Sequence, residues 1–278
     1  MTAAEQADDL SDLEIDLFLE ALFRRYRHDF RRYVRPTLRR RLAQALPAFD
    51  CASLSILQHR MLREPAIVPA VIDFLTVQVS DLFRDPPFYA ALRARIVPVL
   101  HTYPSIRVWV AGCGAGEEVT SLAILLDEEG LLAKTTLYAT DVNRAALRDA
   151  ELGVYRLDRA QAFSRNYQRA GGKRSLSDYY MAGYDRIAFA RRLRENTVFS
   201  DHSLATDSVF AEVQLVTCRN VLIYFDTELR ERALGLFRES LVRRGFLGLG
   251  AKENLRGSAH ASAFVELDRS NRLYEKAA

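Results

Sequence analysis

A chain of 278 residues, 49% hydrophobic and 27% charged, can bury one large or two smaller cores, which excludes a mainly disordered protein, and its net charge of +3 is too mild to mark a nucleic-acid binder. Cys51, Cys113 and Cys218 lie far apart, with no CxxC pair for zinc and no even set for disulfides, so no metal is expected and a reducing cytoplasm is the expected home. The acidic start MTAAEQADDL lacks a basic-then-apolar signal, and no apolar run approaches the roughly 20 residues of a bilayer span, so no direct membrane insertion is expected.

The first ten residues are expected to fray. Leu17, Leu19, Leu22 and Phe23 then begin a helix, and residues 26–45 carry the densest basic run, with Arg31, Arg32, Arg35, Arg39, Arg40 and Arg41. Pro36 splits this run and suits the first turn of a second helix, where its missing N–H costs nothing. On pattern alone the run is a solvated face. Residues 47–100 continue as short helices punctuated by Pro65, Pro69, Pro86, Pro87 and Pro98, and 101–105 is a polar connection.

Residues 107–126 read RVWVAGCGAGEEVTSLAILL: a β-prone apolar run, then Gly112, Gly114 and Gly116 at alternate positions, then a helical apolar face. Glycine permits positive φ and close approach of a ligand, and a strand, turn and helix in succession deliver main-chain N–H groups to a nucleotide-like cofactor. Asp141, closing the next apolar run in LYATDVN, lies at the interval at which a βαβ unit places an acid on ribose hydroxyls. The turn also carries Glu117 and Glu118, and carboxylates repel pyrophosphate. A nucleoside with no phosphate and a positive centre suits it better, and S-adenosylmethionine is such a cofactor.

The βα rhythm continues: strand 107–111, helix 116–129, strand 135–140, helix 143–151, strands 196–200 and 213–217, helix 226–243, strand 245–250, and strand 263–274 broken by a turn. That is a doubly wound sheet with an antiparallel edge. In such sheets cofactors sit outside the carboxyl ends of the strands, where the glycine turn, Asp141 and Cys218-Arg219-Asn220 all fall. Between 157 and 194 the rhythm breaks; Gly171-Gly172 and a hairpin about Gly183 indicate a small antiparallel insert.

The glycine turn, ATD at Asp141, GVY at Gly153 to Tyr155 and above all CRNVLIYF at Cys218 to Phe225, followed by Asp226, resemble the CheR family of chemoreceptor glutamate methyltransferases. The likeness runs from about residue 17 to 274. It implies a small N-terminal all-helical, receptor-facing domain, 1–100, and a class I S-adenosylmethionine-dependent methyltransferase domain of Rossmann-like α/β fold, 105–278, with the inserted β-subdomain at 158–194. It also implies transfer of a methyl group from S-adenosylmethionine to receptor glutamates, leaving S-adenosylhomocysteine, by a cytoplasmic monomer. Partners would be the cytoplasmic helices of methyl-accepting receptors, met by the Arg31 to Arg41 face and by the insert.

The resemblance also supplies the site. TVQVSDLFRDPPFY puts Gln78, Ser80 and Arg84 at the positions that contact the methionine end of the cofactor, and Ala111, Gly112, Glu117, Glu118, Asp141, Ser203, Leu204, Asn220 and Val221 at the other cofactor positions. Arg84 and Tyr224 are the expected catalytic pair. Arg84 would hold the acceptor carboxylate and the cofactor end; Tyr224 would wall the transfer channel and donate a hydrogen bond. From residues alone, Arg84 reads as a salt bridge to Asp85 or another acid, and Tyr224 as a core residue of a strand VLIYF. Cys113 and Cys218 read as small buried residues. Gln78, Ser80 and Ser203 depart from the family pattern, as do Val119-Thr120 and Lys252, so a degenerate member that binds cofactor or receptor without turnover stands beside the active enzyme.

Overall fold

The computed structural model describes residues 11–277, so the ten residues expected to fray lie outside it. Two units are distinguished. One takes the chain as far as Val77 together with Ser203–Asp207 and Tyr224–Ala233; the other takes Gln78–His202, Ser208–Ile223 and the chain from Leu234 onward. None of the described helices is long and apolar enough to cross a membrane.

The first unit is helical. Helix α1 (Asp12–Tyr26) opens on a capping box: the Ser11 hydroxyl accepts the Glu14 N–H while the Glu14 carboxylate accepts the Ser11 N–H. Two of the donors that a helix start leaves over are thereby satisfied, which is why the helix begins ahead of its first expected apolar residue, Leu17. Ile15, Phe18, Leu19 and Leu22 recur at helical spacing and are its buried stripe. Helix α2 (Arg35–Ala48) carries Pro36 in its first turn and buries Leu38, Leu42 and Leu46; α3 (Leu54–Arg63) and α4 (Val68–Leu75) follow. The arginine-rich stretch is largely spoken for. Arg39 pairs with Asp12 at 2.6 Å, Arg35 with Asp16, Arg31 with Asp29 at 2.8 Å and Glu20 at 2.9 Å, and Arg32 with Glu228 at 2.7 Å. Each such pair adds little stability, but together they cancel most of the positive field expected of this face.

The second unit is built on a seven-stranded sheet of order β6-β2-β1-β7-β8-β10-β9. Strands β1 (Ile106–Ala111), β2 (Thr135–Asp141), β6 (Thr197–Asp201), β7 (Val213–Cys218) and β8 (Leu241–Leu249) run parallel, while β9 (Phe264–Asp268) and β10 (Leu273–Lys276) add an antiparallel edge. Helices α5 (Pro86–Ala91) and α6 (Val97–Leu100) precede β1, α7 (Glu117–Glu128) follows it and α8 (Arg144–Leu152) follows β2. The strand order reverses at β1, with β2 on one side and β7 on the other, so the loops leaving β1 and β7 diverge and open the crevice expected of a doubly wound sheet. The insert holds a second sheet, β3 (Val154–Arg156), β5 (Arg186–Phe189) and β4 (Tyr180–Gly183), and helix α9 (Ala160–Arg169).

Three expectations are corrected here. Residues 78–100 were grouped with the helical domain, but Leu82, Phe83, Phe88, Tyr89, Ile96 and Leu100 join one core with the sheet residues Val108, Val110 and Leu215. Apolar burial decides the matter, because these side chains find the large core of the sheet. The helix expected to run to 243 is α10 (Thr227–Ser240); β8 starts at Leu241, pairing with Val213, before left-handed Arg244 (φ 61°) interrupts the ladder ahead of Phe246. VLIYF is no strand either, since β7 ends at Cys218 and Leu222–Tyr224 form a single 3-10 turn.

Gly116 has φ +88°, and a Cβ there would stand 2.8 Å from the Ala150 Cα, so α7 and α8 touch through this position. Gly130 is also left-handed (φ +68°), but nothing lies within 4 Å of its missing Cβ. Gly130→Ala should therefore cost only the conformational strain, about 1–2 kcal/mol. Gly116→Ala should cost about 2–4 kcal/mol, because overpacking adds to strain. Denaturant unfolding of both variants checks this; equal losses would show that the close approach carries no weight.

Candidate functional site

The glycine turn leaves β1 with three left-handed residues, Gly112, Gly114 and Gly116, at φ 72°, 54° and 88°. Only glycine adopts that series without strain. The turn is fixed from β2: the Thr140 carbonyl accepts the Gly112 N–H at 2.8 Å, and one oxygen of Asp141 accepts the Gly114 N–H at 2.9 Å. The other Asp141 oxygen accepts the Asn143 N–H at 2.9 Å, at the start of α8. Burial pushes the Asp141 carboxyl above the ordinary aspartate range, although the Asn143 and Gly114 N–H groups pull the other way. The Val142 N–H is a third main-chain donor to this carboxyl. Behind the turn, the Tyr155 hydroxyl donates to the Ala115 carbonyl at 3.1 Å. A Cβ on Gly114 would come within 3.2 Å of the Gln78 side-chain oxygen, so Gln78 lies against the turn.

Glu117 and Glu118 open α7, where negative charge suits the positive end of the helix. Glu117 is only 1% exposed; one of its oxygens meets Arg159 at 2.9 Å, and the other has no hydrogen-bond partner among the described residues. Glu118 repeats the pattern, with one oxygen 3.3 Å from Arg219 and the other buried without a partner.

Arg219 is enclosed. It donates to the Arg84 carbonyl at 2.7 Å and to the Asp85 carboxylate at 2.8 Å, and its guanidinium lies 4.1 Å from the centre of the Phe88 ring. Phe83 and Asp85, on either side of Arg84, are left-handed at φ 49° and 58°, a strain that persists because Ser121 accepts the Phe83 N–H and Arg219 holds the other side. The reading of Arg84 as a partner of Asp85 is thus corrected. Arg219 takes Asp85, and the half-exposed Arg84 guanidinium donates to the Val79 carbonyl at 3.2 Å, with no carboxylate paired to it among the described residues.

The loop after β7 begins at Asn220, itself left-handed at φ 62°. Glu253 shapes it: one of its oxygens accepts the Asn220 and Gly250 N–H groups at 3.0 and 2.7 Å, the other the Ile223 N–H at 3.2 Å. A Cβ on Gly112 would strike Val221 at 2.5 Å, so this loop and the glycine turn are in contact. Cys113 and Cys218 are buried, and burial, reinforced by Asp141 for the first and Glu253 for the second, pushes both thiols well up.

The second unit therefore gathers Gln78, Ser80, Arg84, Ala111, Gly112, Glu117, Glu118, Asp141, Asn220 and Val221 about the ends of β1, β2 and β7. Ser203, Leu204 and Tyr224 belong to the first unit. There the Ser203 hydroxyl accepts the Ala205 N–H at 3.3 Å and Asp207 accepts the Ser203 N–H at 2.9 Å, a self-contained turn. The Tyr224 carbonyl accepts the Val34 N–H at 2.8 Å, beside the Tyr33 to Phe225 bridge. Sequence reasoning put Arg219 at the crevice without naming its partners and gave no role to Arg159 or Glu253. A charge directly after the buried run VTC was a usable signal for Arg219, and a lone acid after the apolar GFLGLG run for Glu253; Arg159 had none.

A ligand with a nucleoside and a cationic end fits these residues: bare glycine backbone and an acid at the end of β2 for the one, two buried carboxylate oxygens still lacking a donor for the other. Residues 78–270 match the family described as CheR methyltransferase, SAM binding domain, and residues 13–76 the CheR methyltransferase, all-alpha domain. A Pseudomonas putida protein carrying the name Cher3 is 49% identical over 266 residues, spanning 96% of this chain and 97% of its own. A Listeria monocytogenes protein named chemotaxis protein methyltransferase is 28% identical over 250 residues, spanning 88% of this chain and 92% of its own. With both parts of the family matched along almost its whole length, the chain belongs to the CheR methyltransferases, enzymes whose cofactor is S-adenosylmethionine.

Proposed function

We propose that the protein esterifies glutamate side chains on the cytoplasmic helices of methyl-accepting receptors. The observation that carries this reading is Arg84, a half-exposed guanidinium on a strained, braced loop with no carboxylate of its own. Its fork matches an incoming carboxylate in two parallel hydrogen bonds. A glutamate is already ionised at neutral pH, so no catalytic base is called for. The cofactor, when bound, supplies a methyl group on a sulfonium centre. The protein's part is alignment and exclusion of water. Asp141 accepts from the ribose hydroxyls, the glycine turn gives the adenosine room, and Arg84 orients the acceptor.

On the receptor side, the pairing of Arg31, Arg32, Arg35 and Arg39 with acids of the same unit leaves Arg40 and Arg41 without an ion pair among the described residues, and Arg40, the more exposed of the two, is the cation offered to a helix bearing carboxylates. A second reading, a member that binds without turnover, is favoured by one observation: Ser203, the position expected at adenine, spends its hydroxyl on Ala205.

Calorimetry with S-adenosylhomocysteine should give a micromolar or tighter Kd at pH 7. Because the Asp141 carboxyl titrates above the ordinary aspartate value of about 3.9, and its ionised form is the stronger acceptor from a diol, affinity should be full at neutral pH and fall as pH drops through that raised value. Asp141→Asn should lose about 1.5–3 kcal/mol at pH 7 and flatten the profile. A wild-type profile that stays flat to pH 4 would remove Asp141 from the cofactor contact.

Arg84→Ala should melt within a few degrees of wild type yet transfer methyl groups about a hundredfold more slowly, since a misaligned acceptor forfeits orientation. A variant that unfolds readily but keeps its activity per folded molecule would make Arg84 a strut. Arg40→Glu should raise the KM for receptor, increasingly so at low salt, with cofactor affinity unchanged; salt-independent wild-type kinetics in that variant would leave Arg40 a solvated residue.

A further inference from the structure

Arg159 belongs to the insert, immediately ahead of α9, and yet its guanidinium reaches two segments of the cofactor crevice. Nη1 donates to Glu117 at 2.9 Å; Nη2 donates to Asp81 at 2.9 Å and to the Ser80 carbonyl. The group lies 4.6 Å from the centre of the Phe163 ring, which is fully buried and fixes the height of the fork. Glu117 has almost no solvent, and Arg159 is the cation that meets it within the protein. With one oxygen taken by Arg159, the second is an acceptor held in a set place and still lacking a donor among the described residues.

We propose that Arg159 is a positioning residue for the amino-acid end of the cofactor: it holds the Glu117 carboxylate oriented toward the ligand's ammonium group, and keeps the 80–84 segment, and with it Arg84, at a fixed distance from α7. This rests on the assignment of the crevice to S-adenosylmethionine. The chemistry is selective. The α-ammonium group is the cation that S-adenosylhomocysteine offers, and 5′-methylthioadenosine lacks it while keeping the adenosine that Asp141 and the glycine turn address. Arg159 touches neither of those, so it should matter to one ligand and not to the other.

The test is calorimetry of wild type, Arg159→Gln and Arg159→Lys with S-adenosylhomocysteine and with 5′-methylthioadenosine, each titrated to millimolar concentration. Arg159→Gln is expected to raise the Kd for S-adenosylhomocysteine tenfold or more and to leave that for 5′-methylthioadenosine within twofold. Arg159→Lys, which keeps the charge but loses the fork, should fall between. Equal weakening of both ligands, in either variant, would reduce Arg159 to a general support of the fold, and an unchanged Kd for S-adenosylhomocysteine would remove it from the site. Should Arg159→Gln fail to fold, the ligand contrast in Arg159→Lys decides. Wild-type protein that binds neither ligand would instead overturn the cofactor assignment itself.

Discussion

Four carboxylates stand near the carboxyl ends of the parallel strands, Glu117 and Glu253 buried and Glu118 and Asp141 partly so. Two like charges 4 Å apart repel by about 4 kcal/mol even at an effective dielectric of 20, and removing each from water costs several kcal/mol more. Every loop of the crevice is shaped by the way these charges are met. Arg159 and Arg219 take one oxygen each from Glu117 and Glu118; main-chain N–H groups of the glycine turn and of the loop after β7 take those of Asp141 and Glu253. The arrangement is deliberately incomplete in charge, since a site for a cationic cofactor must hold negative groups whose compensation stops short of saturation. Left-handed Asp85 and Asn220 go with it, the one meeting Arg219 and the other Glu253.

The parts of this that could be read from the sequence were those with short-range causes. Alternating glycines after a β-prone run specify a turn of positive φ, and an acid at the end of the next strand follows from βα spacing, so the turn and Asp141 were legible, as was a doubly wound sheet with an antiparallel edge. The pairings of Arg219 and Glu253 were not, because their partners lie 134 and 33 residues away and only the fold selects them. The boundaries that moved did so for the same reason. Residues 78–100 look like the helices before them, and their allegiance to the sheet is a matter of which core is large enough to bury Phe83, Phe88 and Tyr89. The overrun of α10 came from a window in which Leu241 and Val242 continue an apolar pattern until left-handed Arg244 is met.

The basic run shows the converse. Six arginines in eleven residues suggest a strong field, but field strength is a sum over neighbours in space, and α1 brings Asp12, Asp16 and Glu20 to the same surface. What survives for a partner is set by tertiary pairing, which composition does not record. Family membership fixes the chemistry of the cofactor more firmly than it fixes this surface, because the crevice is made of backbone and buried charge whereas the face is made of long side chains that re-pair easily.

The two buried thiols bear on chemoselectivity. A protein that holds an alkylating agent exposes its own nucleophiles to it, and thiolate is far more nucleophilic toward carbon than carboxylate. Cys113 lies within the glycine turn and Cys218 at the end of β7, yet burial and the adjacent acids keep both protonated. The same negative charge that suits a sulfonium therefore disarms the sulfur atoms nearest to it, so neither thiol competes for the methyl group of a cofactor held in the crevice.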